Sequence, residues 1–121
     1  MRIVLHNIDP ADGAVAIPGP HVPVVLCDAG EAQVTVVLAL SNGMQFCFPD
    51  PAGRAWPQTV VLPPGEHACS VLVAAVQQGR FGRRYDSGVV IAGKLVAAAE
   101  GEIAAGDDAD IARCAFTLRV A

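Results

Sequence analysis

Three observations predict an all-β fold, an antiparallel β-sandwich. Ala112, Cys114, Phe116, Leu118 and Val120 interleave with Arg113, Ala115, Thr117 and Arg119, the period-two alternation of a half-buried strand. An Asn42-Gly43 pair stands between two apolar segments, 32–40 and 44–48, and Asn-Gly signals a hairpin because both residues tolerate positive φ. Val-rich runs recur at short intervals between clusters of Pro, Gly, Asp and Asn, which suits seven or more short strands.

Along the chain, residues 2–8 are β-rich and end at Asp9-Pro10-Ala11-Asp12-Gly13, whose Pro and Gly force a turn. Segments 22–27 and 32–40 are strands divided by Asp28-Ala29-Gly30-Glu31, and the returning strand 44–48 is stopped by Pro49-Asp50-Pro51-Ala52-Gly53. The irregular stretch continues through Trp56-Pro57. Segments 58–62 and 66–76 flank Pro63-Pro64-Gly65, where Pro suits the second and Gly the third position of a type II turn, so the chain should reverse there. Segment 88–99 reads as one further β-rich run. Its tail is ambiguous: Leu95, Ala99 and Ile103 stand four apart in an Ala-rich stretch, so at most one short helix is expected near residues 95–105, with strand to about Ala98 favoured because Gly101 and Gly106 weaken a helix.

The turn Leu62-Pro63-Pro64-Gly65-Glu66-His67 and the Val-rich strand after it resemble a pattern of bacterial immunoglobulin-like and fibronectin type III-like domains. The resemblance covers only that turn and strand, and it implies a fold and no function, since such sandwiches host many activities. The Trp expected in an early central strand is missing, because Trp56 sits in the Pro-rich loop.

The chain has 121 residues, enough for one domain spanning 1–121 with its own core. Eight basic and twelve acidic residues give a net charge of −4, which offers no general attraction to nucleic acid or anionic membrane. Charged residues make up 17%, below the roughly 25% of an ordinary soluble domain. With 53% hydrophobic residues, the composition suits well-covered strands or a face buried in an assembly. No stretch reaches the roughly 20 apolar residues of a membrane span. His6, Asn7 and Asp9 interrupt the apolar core a signal peptide would need. A cytoplasmic protein is therefore expected.

Arg80, Arg83 and Arg84 cluster around Phe81 in a Gly-containing loop, and their planar guanidinium forks would suit a phosphate or carboxylate, although a solvated hairpin tip explains the run as well. Asp107, Asp108 and Asp110, with Glu100 and Glu102 upstream, offer oxygen ligands but lack the spacing of a calcium loop. The scattered His6, His21 and His67 form no zinc pattern. No nucleophile elbow, phosphate loop or dinucleotide fingerprint is present, so no catalytic residue, metal or cofactor is assigned.

The four cysteines, Cys27, Cys47, Cys69 and Cys114, are expected to be unpaired in a reducing compartment. Cys114, Cys69 and Cys27 should be buried or nearly so. Cys47, alternating with Phe46 and Phe48, should face solvent and be the exposed, most reactive thiol. The leading functional expectation is a non-catalytic interaction or structural module that binds a protein partner or a second copy, with strand edges weakly defended against pairing. The alternative is a small-anion-binding or catalytic domain built on Arg80, Arg83 and Arg84, with Asp86 nearby.

Overall fold

The computed structural model describes residues 1–30, 32–76, 83–103 and 109–121. These form ten strands: β1 (Ile3–Leu5), β2 (Ala14–Ile17), β3 (His21–Asp28), β4 (Gln33–Leu40), β5 (Gln45–Phe48), β6 (Gln58–Val61), β7 (Gly65–Val76), β8 (Arg83–Ile91), β9 (Lys94–Ile103) and β10 (Ala109–Val120). One sheet runs β1-β9-β8-β3-β6, the other β2-β10-β7-β4-β5. Each has five strands, and the two enclose a single core.

Period-two alternation builds that core. Val22, Val24 and Leu26 of β3 point inward toward Val34, Val36, Leu38 and Leu40 of β4 and Val71, Val73 and Ala75 of β7. Leu62, Ile91, Ile103 and Leu118, with Phe46, Tyr85 and Phe116, add further large buried side chains. β-branched side chains fit a pleated surface, so Val fills the interlayer space without many aromatics. Ser87 is the one polar residue buried as a whole among the described residues, and its hydroxyl donates to the Ala99 carbonyl at 3.3 Å. Burial therefore leaves no orphan there.

The Asn42-Gly43 signal produces the β4–β5 hairpin, but only Gly43 takes positive φ, at 88°. The Gly43 N–H donates to the Leu40 carbonyl and the Met44 N–H to the Asn42 side chain, so Asn42 acts through its amide oxygen. Pro63-Pro64-Gly65 connects two strands as expected, with β6 in one sheet and β7 in the other, so the connection crosses between layers. Three expectations require correction. Segment 88–99 is not one strand but contains the turn of the β8–β9 hairpin, where Ala92 and Gly93 have φ of 51° and 75°. The stretch considered for a short helix near 95–105 is extended through Ile103, because Val96, Ala97, Ala99 and Ile103 bury against the core where β8 supplies a ladder. Finally, the sandwich is not wholly antiparallel. β2, in a stretch for which the sequence predicts no element, pairs in parallel with the end of β10, Ala14 against Thr117 through Ile17 against Val120.

Candidate functional site

The arginine segment is only partly described: Arg80, Phe81 and the side chain of Arg83 lie outside the described residues, while the Arg83 backbone begins β8. Arg84 is exposed on the outward face of the first sheet, opposite Glu102. It borders a polar recess of about 230 Å³ with Ala29, Gly30, Tyr85 and Asp86. Gly30 is required there, since a Cβ would overlap the Tyr85 Cα and the Arg84 carbonyl. The β3–β4 connection is tied to β8 by Ala29 N–H to the Asp86 carbonyl at 2.7 Å and Ala32 N–H to the Arg84 carbonyl at 2.8 Å. Within the described residues this recess holds one cation and one carboxylate, so no set of guanidinium groups converges in it.

Among the described residues no three His, Cys, Asp or Glu side chains come together as metal ligands. Of the acidic segment, Asp107 and Asp108 lie outside the described residues. Asp110, on β10, receives the Met1 ammonium at 2.6 Å and the Tyr85 hydroxyl at 3.3 Å. Burial, and then the Asp110 charge, push the Tyr85 phenol above its ordinary pKa. No helix of the described residues is long and apolar enough to cross a membrane.

The thiols are all unpaired, but their exposure differs from the expected order. Cys69 is buried, and that burial pushes its pKa up to about 11. Cys114 lies on the core side of β10 yet is only half-buried, with its pKa also raised by burial. Cys47 is half-buried on the outward side of β5. Cys27, expected inside, is the exposed one. In β3 the even-numbered positions face the core, so Cys27 points out beside Gly88 and its thiol donates to the Gly88 carbonyl at 3.7 Å.

The larger feature is the outward face of the second sheet. An antiparallel sheet with one solvated face ordinarily presents polar side chains there. Here the cross-strand rows read Ile111, Ala74 and Thr35; then Arg113, Leu72, Val37 and Cys47; then Ala115, Ser70, Ala39 and Gln45. Ile111 is 59% exposed. Small side chains leave a shallow depression of about 350 Å³ over Ala39, Ala68, Ser70 and Ala115. Arg119 pairs with Asp12 and Glu66 at one end of the face. Arg113 stands in the middle with no ion pair among the described residues.

The outward face of the first sheet has a related character. Val4, Ala98, Gly88 and Cys27 form one row across four strands, and Leu95 lies beside Val90 and Val25. A groove of about 610 Å³ runs over Ala98 between Val4 and Leu95, with Arg2, His6, Asp86 and Glu100 at its margins. The end strands, by contrast, are short: β1 has three residues, and β2, β5 and β6 have four each. Short end strands limit strand addition where they lie, but β2 pairs only with Thr117–Val120 of β10, so Ala109–Phe116 has no ladder partner on that side among the described residues. The two outward faces are the broader surfaces that the described residues leave uncovered.

Comparison of the chain with protein-family models, with curated proteins and with solved structures finds no match. Leu72, Val37, Ile111 and Arg113 were not singled out by the sequence reading. Their signal lay in the odd positions of β10 and β4 and the even positions of β7, where Ile111, Val37, Leu72 and several Ala occupy outward sites and charge is confined to Arg113, Arg119 and Glu66.

Proposed function

We propose that the domain is a non-catalytic docking module that binds a protein partner through the outward face of its second sheet. The observation carrying this reading is the row Arg113, Leu72, Val37 and Cys47 with its neighbours, a nearly uncharged apolar surface on what would otherwise be a solvated side. Contiguous exposed apolar patches on this scale mark interaction sites. The face is also large enough: five strands at about 4.8 Å spacing and roughly 30 Å of strand length give on the order of 700 Å², close to the roughly 800 Å² each partner buries in a standard interface. A single Arg within an apolar field is a common interface anchor.

The sandwich itself we assign to the immunoglobulin-like type. In support, β4, β7 and β10 lie side by side in one sheet while β3 and β6 pair in the other, as strands C, F, G and B, E do in that type. The β8–β9 hairpin is then an addition that widens the first sheet. A photo-cross-linking side chain placed at Leu72, in cells that make the protein, tests the docking reading. Adducts with a defined protein are expected from position 72 and not from exposed Gln33 at the margin of the face. No adduct at position 72, or equal adducts from both, overturns it.

A further inference from the structure

We infer that a second copy of this chain can occupy the docking face, and that it does so with the opposite side of the sandwich: the first-sheet groove of one copy receives the second-sheet face of the next. This rests on the docking reading above and names an occupant for it. Three features of the two faces match.

The first is charge. Arg113 has no ion pair among the described residues, and on the first sheet Asp86 and Glu100 stand directly opposite each other on neighbouring strands, also without an ion pair among the described residues. Like charges in direct cross-strand opposition destabilise a sheet. One guanidinium laid between them removes that repulsion and satisfies its own fork. Arg2 and His6 border the same groove from the β1 side, and Arg2 makes no ion pair with either carboxylate.

The second is spacing. Ile111 and Arg113 are two residues apart on one strand, about 7 Å. On the groove side, Ala98 at the floor and Gly88 opposite it are likewise two residues from Glu100 and Asp86, and the two pairs are in register. With Ile111 seated over Ala98, Arg113 falls over Glu100 and Asp86. The floor at Ala98 carries only a methyl, and Leu95 and Cys27, whose side chains close in over Gly88, form the wall against which Ile111 packs.

The third is shape and extent. Both surfaces are faces of five-stranded sheets, and twisted sheets pack face to face about 10 Å apart at an angle near −30°. Such a contact uses different patches on its two sides, so it is heterologous and repeats from copy to copy unless it closes into a ring.

Sedimentation velocity of the full chain over a concentration series tests this with two variants, each checked for native circular dichroism. Arg113→Glu alters the second-sheet face and leaves the groove intact. Ala98→Glu fills the groove floor beside two carboxylates and leaves the second-sheet face intact. The unaltered chain is expected to form species beyond a dimer, and each variant alone should associate about tenfold or more weakly. An equimolar mixture of the two should form a dimer that grows no further, because each contributes one intact face. The triple variant Arg113→Glu, Asp86→Lys, Glu100→Lys should recover assembly.

An unaltered chain that stays monomeric throughout overturns the inference. So does an Ala98→Glu chain that dimerises as well as the unaltered one, which would mean that the second-sheet face pairs with itself. Cross-links from position 72 to a different protein, with the chain monomeric, would leave the docking reading standing and remove only the self-stacking.

Discussion

Asp50 shows how one side chain organises a loop whose backbone forms no ladder. Its carboxylate accepts hydrogen bonds from the Ala52 N–H at 2.8 Å, the Arg54 Nε at 2.9 Å and the Gln58 Nε2 at 2.6 Å, which fixes the stretch between β5 and β6. Cys27 makes a different point at the same scale. Its neighbours Val24, Val25 and Leu26 read as an apolar run, yet one residue decides the face. Thiol chemistry should follow exposure and thiolate availability. Alkylation of the native protein, mapped by mass spectrometry, is therefore expected to label Cys27 first and Cys47 next, with Cys114 and Cys69 last. Labelling of Cys69 ahead of Cys27 would contradict the assigned orientation of β3.

At the scale of elements, hairpins differ in how openly the sequence announces them. The β4–β5 turn carries Asn-Gly and was legible. The β8–β9 turn carries Ala92-Gly93 with both residues at positive φ, and Ala is not a residue that advertises the left-handed region. An Ala-rich surround then blurred the alternation, because Ala suits helix, strand and either face of a sheet. β2 was hidden for another reason: its ladder partner lies about a hundred positions away, as Ala14 against Thr117 shows, and no local pattern records that pairing. Ala92 pays for its conformation by holding the register of the widened sheet, with its N–H donated to the Pro23 carbonyl at 2.9 Å. Ala92→Val places a β-branched side chain at positive φ and should cost about 1–2 kcal/mol in urea unfolding. Ala92→Gly should stay within about 0.5 kcal/mol of the original, because relief of strain and added chain entropy offset. Equal losses in the two variants would show that the methyl contact, not the backbone, sets the stability of this turn.

For the whole molecule, the sandwich architecture, the inward side of β7 at Cys69, Val71 and Val73, and the inward side at the end of β10 could be read from alternation, whereas the unbroken apolar run of β3 concealed its faces. The apolar outward face of the second sheet could not, because apolar residues on both sides of a strand erase the contrast that alternation depends on. Stability against acid is also a property of the whole. The Arg119 side chain, hydrogen-bonded to Asp12, holds that carboxyl below its ordinary pKa and so ties the end of β10 to the turn before β2. For Asp50, desolvation acts upward, but the hydrogen bonds from Ala52, Gln58 and Arg54 outweigh it, so its pKa is also lowered. A carboxyl whose folded pKa lies below its unfolded value of about 3.9 contributes stability above that value and loses it as pH falls through the folded pKa. The urea midpoint should therefore drop below about pH 4. The double variant Asp12→Asn, Asp50→Asn should start lower at neutral pH and fall less steeply. An unchanged acid slope in that variant would place the titrating groups elsewhere.

The parallel pairing of β2 with β10 sets the order of assembly against the order of synthesis. β10 lies between β2 and β7 and runs alongside β7 for its full twelve residues. Until it is made, β7 has one bare side and β2 has no ladder partner in its sheet. At typical elongation rates of about 5–20 residues per second, the interval between the end of β7 and the end of β10 is on the order of 2–9 s. Through that interval the nascent chain carries a long, Val-rich strand with open hydrogen-bonding groups, in the crowded surroundings where other chains are emerging. The segment 109–120 is thus the closing stitch of the second sheet, and a chain interrupted before it would expose the strand that the finished molecule keeps at its centre.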